Sequence, residues 1–111
     1  STLQWEAIAL QNGLNVVTFS ATPTFDASLG NTQKITLTGN VTSSTLSNAS
    51  TGQQIDFMIC QDATGNRTFV WPTNVKGGMD IGLIASKCSA QSFKVDSSGN
   101  AYATSSGVAN M

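Results

Sequence analysis

Two stretches of the chain alternate apolar and polar residues, and this alternation constrains the fold more than any other feature. In QKITLTGN (33–40) the apolar residues Ile35 and Leu37 alternate with Lys34, Thr36 and Thr38. In QIDFMIC (54–60) Phe57 lies at the centre of the same pattern. Successive side chains of a β-strand point to opposite faces, so a period of two predicts strands with one buried face.

Turn-forming residues separate these apolar runs at short intervals. Gly39-Asn40 and the run at 96–100 are turn signals, and Pro23 excludes its segment from a central strand. We therefore predict an all-β fold, an antiparallel β-sandwich or a jelly-roll-like small barrel of about 7–9 short strands. Residues 1–23 are predicted to form an N-terminal arm and the first strand, and residues 24–111 the sandwich domain.

The chain carries little charge and contains no histidine. Of its 111 residues 10% are charged, and the net charge is −1. Its basic residues are scattered singly, whereas nucleic-acid binding needs a clustered basic face, so we expect no nucleic-acid partner. No apolar run approaches the ~20 residues that cross a bilayer, so we expect no membrane association. Without histidine we also expect no catalytic residue, no cofactor and no metal site.

Two loops contain oxygen-bearing side chains of the kind that bind calcium. They hold Asp62 with Asn66, and Asp96 with Asn100. Calcium takes about six or more oxygen ligands, and Asp and Asn are also common turn residues that bond to their own backbone. Ordinary turns are the favoured interpretation.

Two cysteines are predicted to project from the same face of one sheet. Cys60 points away from the face that carries Phe57, and Cys88 points away from the face that carries Phe93, if both segments are strands. A disulfide between Cys60 and Cys88 would fit neighbouring strands, and two free thiols in a reducing compartment are the alternative.

The stretch CQDATGNRTFVW (60–71) combines a thiol, a carboxylate and a guanidinium, and could be either an active site or a polar hairpin. We favour the hairpin. Gly65 and Asn66 are expected to supply the residues with positive φ in its loop. Arg67 is expected to open the next strand and to pair with Asp62.

The first residues of the chain hold apolar side chains with no evident place in the domain core. These candidate interface residues are Leu3, Trp5, Ile8 and Leu10. A large aromatic residue in an irregular arm is a typical interface anchor, so we expect the arm to contact another protein or another copy.

Residues 24–106 resemble a known family. The motifs are TFDASLGN before ITLT, then GQ leading into QDATGNRTFVWP, and a closing SFKVDSSGNAY hairpin. This pattern is similar to a β-sandwich module of tailed-bacteriophage virion structural proteins. Asn66 stands where a second glycine is common, and Ser97-Ser98 lengthens the last hairpin.

The resemblance implies a non-enzymatic structural protein of the phage virion. Within that class, the N-terminal arm favours a capsid decoration or cement protein. Its partners would be the major capsid protein, copies of itself as a dimer or trimer, or both. The alternative is a tail-fibre or receptor-binding module that recognises a host surface glycan or protein through loops 61–66 and 73–80. A small carbohydrate-active or calcium-dependent lectin-like module outside any virus is a third alternative.

Overall fold

The protein is described here by a computed structural model, which covers residues 13–111. It is an all-β chain with a single short 3-10 turn at Ala27–Leu29 among those residues. The eight strands, numbered in chain order, are β1 (Leu14–Val17), β2 (Thr24–Asp26), β3 (Thr32–Leu37), β4 (Thr45–Ser47), β5 (Gln54–Gln61), β6 (Val75–Lys76), β7 (Cys88–Val95) and β8 (Ala101–Ala103).

The first half of the chain is a short parallel stack. β1 pairs in parallel with β3, and β3 pairs in parallel with β5. The connections between them carry β2 and β4, which pair in parallel with each other as a second, two-stranded sheet. The chain therefore winds as in a β-solenoid, in which each turn contributes one strand to the large sheet and one to the small sheet. The second turn, Thr32 to Asp56, is longer than the first, Leu14 to Thr32, so the sequence shows no repeat.

The predicted antiparallel sandwich or jelly-roll barrel is therefore wrong, although the all-β class and the number of strands are confirmed. Alternation identifies the buried face of a strand, but it is the same for parallel and antiparallel neighbours. The division into an arm at 1–23 and a domain at 24–111 stays a prediction. Within the described residues, β1 already belongs to the large sheet.

The second half of the chain completes the large sheet with antiparallel strands. β7 pairs antiparallel with β5 and with β8, and β6 pairs in parallel with β8 at the edge. The resulting order is β1-β3-β5-β7-β8-β6. The β7–β8 loop is held by Asp96, whose carboxylate accepts hydrogen bonds from the backbone N–H groups of Ser98 and Asn100.

The core lies between the large sheet and the small one. Ile35, Phe57 and Phe93 point into it from the large sheet, and Phe25 points into it from β2. Five aromatic rings meet there, edge to face in every pair except Trp71–Phe93, and the centroids of Phe25 and Phe57 are 5.1 Å apart. The complete cluster is Phe25, Phe57, Phe69, Trp71 and Phe93. It joins the parallel half of the domain to the antiparallel half.

Three glutamines point into the same interior and are almost fully buried: Gln33, Gln61 and Gln91. The amide nitrogen of each donates to two backbone carbonyls, as Gln91 does to Gly77 and Ser105 at 3.0 and 2.8 Å, and all of these carbonyls except that of Asp26 lie outside the strands. Their amide oxygens accept one further hydrogen bond each. These side chains act as hydrogen-bonding partners for backbone that has no neighbouring strand.

Candidate recognition site

A disulfide joins the end of β5 to the start of β7. Cys60 and Cys88 lie directly opposite each other in the antiparallel ladder, and their sulfur atoms are bonded. The predicted crosslink is confirmed, and both of the chain's cysteines are used in it. All residues between them form one covalently closed loop.

The loop that follows Cys60 is organised by the carboxylate of Asp62. One oxygen, Oδ1, accepts from the backbone N–H groups of Thr64 and Gly65, at 3.1 and 3.0 Å. Arg67 reaches back to the same carboxylate, with its Nη2 3.1 Å from Oδ2. The hydrogen bond from Arg67 is the main reason that the pKa of Asp62 lies below its ordinary value. Gly65 and Asn66 have φ values of 72° and 58°, as the sequence predicted.

The hairpin prediction is nevertheless wrong, because no strand follows this loop. Residues 67–71 have no regular secondary structure and belong to neither sheet. The amide oxygen of Gln61 accepts from the backbone N–H of Arg67 at 3.0 Å, a donor that a strand would present to its neighbour. The loop instead rests on a later segment, where the N–H of Asn66 donates to the carbonyl of Leu83 at 2.8 Å.

Beside this loop residues 68–71 form the floor of a shallow groove of about 260 Å³, which we call the aromatic groove. The residues that line it are Thr68, Phe69, Trp71, Gly78, Met79, Asp80, Ile81 and Leu83. The indole N–H of Trp71 donates to the carbonyl of Met79 at 2.8 Å, which fixes the ring against the wall formed by residues 78–80.

Gly78 allows that wall to approach the indole closely. A Cβ atom at this position would lie 2.6 Å from the Trp71 ring, far inside van der Waals contact. Phe69 lies edge to face against Trp71, with their centroids 5.0 Å apart. The groove thus has an aromatic floor that is held rigidly by the core.

Polar and apolar groups surround this floor. The side chain of Asp80 is exposed, and Leu83 and Ile84 beyond it are 47% and 56% exposed. Aromatic rings can cover the apolar C–H face of a small polar ligand while a carboxylate and a hydroxyl bind its polar edge. Sugar rings have this combination of surfaces.

The structure brings the two predicted recognition loops to this one surface. Loop 61–66 packs on Leu83, which lines the groove, and loop 73–80 supplies Met79 and Asp80 to it. The sequence interpretation did not include residues 81–84, which form the apolar rim. Their signal was the apolar run IGLI (81–84), which directly follows the segment NVKGGMD interpreted as a connection.

The calcium alternative is not supported by the placement of its loops. Asp62 follows the end of β5 and Asp96 follows the end of β7, and these two strands are antiparallel, so the loops lie at opposite ends of the sheet. Within residues 13–111 no group of three or more acidic or cysteine side chains could hold a metal ion.

The candidate interface residues Leu3, Trp5, Ile8 and Leu10 lie outside the described residues, so their role stays a prediction. Among residues 13–111 no helix is long and apolar enough to cross a membrane.

Comparison with known proteins identifies the family of the chain. Residues 21–101 match the model of a family described as "Putative phage tail fibre C-terminal domain". No curated protein and no solved structure matches the chain. The match spans most of the sequence, supports the predicted phage structural module, and favours the tail-fibre alternative over capsid decoration. The chain therefore belongs to this family of phage tail fibre C-terminal domains.

Proposed function

We propose that the chain is a non-enzymatic structural module of a phage tail fibre that recognises the surface of the host cell. The observation that carries this proposal is the family match over residues 21–101. It supports a location in the tail of the virion rather than on the capsid. No observation on the described residues favours the decoration role that the N-terminal arm suggested.

The aromatic groove is the proposed contact with the host, and a surface carbohydrate is the proposed ligand. The floor of Phe69 and Trp71 would pack against the C–H face of a sugar ring. The carboxylate of Asp80 would accept hydrogen bonds from its hydroxyl groups. The two loops on either side of the groove would set which sugar is accepted.

The experiment is binding of the fluorescently labelled chain to a panel of bacterial strains and to a glycan array. We expect binding that is selective for strain and for glycan. Asp80→Ala and Leu83→Ser should each weaken it by about tenfold, the effect of losing one charge-assisted hydrogen bond or one apolar contact. Ser97→Ala, in the exposed β7–β8 loop, is the matched control and should bind as wild type does.

The result that contradicts the proposal is equally clear. If the chain binds every strain equally or binds none, and also binds undecorated capsids tightly, the result would support the decoration role instead. Selective binding that Asp80→Ala and Leu83→Ser leave unchanged would keep the fibre role and exclude the groove.

A further inference from the structure

The only charged side chain that lines the aromatic groove is that of Asp80. It is exposed, and its carboxylate forms no ion pair or hydrogen bond with any described residue. The carboxylates of Asp26, Asp62 and Asp96, by contrast, each accept hydrogen bonds from the backbone of their own turn. Asp80 thus has no structural role of that kind within residues 13–111, and its charge is available to a ligand.

The backbone that carries Asp80 is fixed by hydrogen bonds at the preceding residue, Met79. The N–H of Met79 donates to the side-chain oxygen of the buried Gln91 at 2.7 Å. The carbonyl of Met79 accepts from the indole N–H of Trp71 at 2.8 Å. The core and the groove floor therefore set the point from which the carboxylate extends.

The groove offers an anion and aromatic rings but no cation. All five basic residues of the chain lie among the described residues, and none of them lines the groove. Arg67 and Lys76, which are close in sequence to the lining residues, bond to other parts of the chain. The indole N–H of Trp71 is also used within the protein, so the hydroxyl of Thr68 is the one side-chain donor that the lining offers to a ligand.

A carboxylate without a partner beside aromatic rings attracts a positive charge. The face of an aromatic ring is negative and binds cations, and a carboxylate accepts a stronger hydrogen bond from an ammonium than from a hydroxyl group. An anionic ligand would meet the charge of Asp80 with no cation to offset it. We propose, as an extension that rests on the host-binding proposal, that the carbohydrate bound in the aromatic groove carries a free amino group. Its ammonium binds Asp80, and its ring packs against Phe69 and Trp71.

Three tetrasaccharides with the same β-1,4-linked backbone test this inference by isothermal titration calorimetry on the full chain. They are the tetramers of glucosamine, N-acetylglucosamine and glucose, which differ only in carrying an ammonium, an acetamide or a hydroxyl group at C2. At about pH 6, where the amine is charged, wild type should bind the amine tetramer at least about tenfold more tightly than either neutral tetramer. Asp80→Asn keeps the shape of the side chain and removes its charge, so its affinities for the amine and hydroxyl tetramers should agree within about twofold.

Asp56→Asn is the matched control, because it removes the same charge on the other face of the large sheet. Asp56 precedes Phe57 on β5, and Phe57 points into the core, so the two side chains leave opposite faces. This variant should keep the preference for the amine tetramer. If Asp56→Asn reduces the preference as much as Asp80→Asn does, the net charge of the chain is its cause and the proposal is overturned.

The remaining outcomes separate this inference from the host-binding proposal. If wild type binds the strain panel and the glycan array selectively but does not prefer the amine tetramer, the amino-group inference is overturned and the host-binding proposal stands. If wild type binds no strain and no glycan, both fail. Tetralysine carries ammonium groups without a sugar ring and should bind at least about tenfold more weakly than the amine tetramer. Tighter binding of tetralysine would indicate a host protein as the ligand and overturn the inference.

Discussion

At the scale of single residues, the buried glutamines explain how a domain with so little regular structure keeps its backbone satisfied. Long segments between strands present N–H and C=O groups to the interior, and each unpaired group would cost free energy. Gln61 binds the carbonyls of Arg67 and Gly82, and Gln91 binds those of Gly77 and Ser105. A primary amide donates two hydrogen bonds and accepts others, whereas a carboxylate only accepts and a hydroxyl donates only one.

Replacement of Gln91 by methionine tests this role with little change of volume. The variant leaves two carbonyls and the N–H of Met79 without their partner, so we expect the free energy of unfolding to fall by about 2 kcal/mol. Urea unfolding followed by circular dichroism measures the change. Gln54→Met, at an exposed position on β5, is the control and should shift stability by less than about 0.5 kcal/mol. Equal effects at the two positions would contradict the role.

Three aspartates make the free energy of unfolding depend on pH in the acidic range. Hydrogen bonds lower the pKa of Asp26, mainly from the Ser28 hydroxyl, of Asp62, mainly from Arg67, and of Asp96, mainly from the Asn100 backbone. Their ordinary value is 3.8. Because the folded pKa values are lower, the unfolded chain binds more protons as the pH falls through this range. These groups therefore stabilise the fold above their ordinary pKa and cease to do so in acid.

We expect the urea midpoint to fall between about pH 5 and about pH 2. The variant with Asn at all three positions keeps a side-chain oxygen that can accept the turn hydrogen bonds but does not titrate, so its midpoint should depend less on pH. A triple variant with the same acid dependence as wild type would show that other groups carry the effect.

The limits of sequence-based prediction are also clear at this scale. The alternation around Ile35, Phe57 and Phe93 identified their buried faces correctly, since side-chain direction along a strand is a local property. The positive φ at Gly65 and the Asp62–Arg67 pair were predictable for the same reason. Gln61 and Gln91 could not be recognised as interior residues, because a polar residue is buried only where its particular partners are folded around it.

At the scale of elements, the disulfide closes the connection between β5 and β7, whose only strand is the two-residue β6. Between β5 and β7 the chain runs through the Asp62 loop, the aromatic groove and the short β6. Neither the direction of the strands nor this irregular path could be read from the sequence, because both depend on how distant segments pair. The crosslink lowers the conformational entropy of the unfolded chain between the two cysteines.

Removal of the crosslink should therefore lower stability substantially. The cysteines are separated by 28 positions. The chain-entropy relation gives a stabilisation of about 3–4 kcal/mol for a loop of this size. We expect Cys60→Ser/Cys88→Ser, or reduction of wild type, to lower the free energy of unfolding by about this amount. Alkylation without reductant, read by mass spectrometry, should label neither cysteine of the wild-type chain. Labelling of both under those conditions would contradict the crosslink.

At the scale of the whole molecule, the aromatic cluster joins the parallel half and the antiparallel half of the domain into one cooperative unit. Phe57 contacts Phe25 from the parallel half and Phe93 from the antiparallel half, with ring centroids 5.1 and 5.5 Å apart. A small domain with one continuous core is expected to unfold in a single transition.

We therefore expect circular dichroism and native-state hydrogen exchange to report the same free energy for β3 and β7. Phe57→Ala should destabilise both halves together, by about 3–5 kcal/mol. Tyr102→Ala, at an exposed aromatic residue of β8, should have an effect below about 0.5 kcal/mol. Loss of protection in one half alone would show that the halves are separate units.

The position of the disulfide has a mechanical consequence. Every residue that lines the aromatic groove, from Thr68 to Leu83, lies between Cys60 and Cys88. When the two ends of the chain are pulled apart, the load passes from β5 to β7 through the sulfur–sulfur bond and bypasses the closed loop. Strands β1, β3 and β8 lie in the path of the force, whereas the groove does not. The surface proposed to hold the host can thus keep its shape while the rest of the domain is under tension.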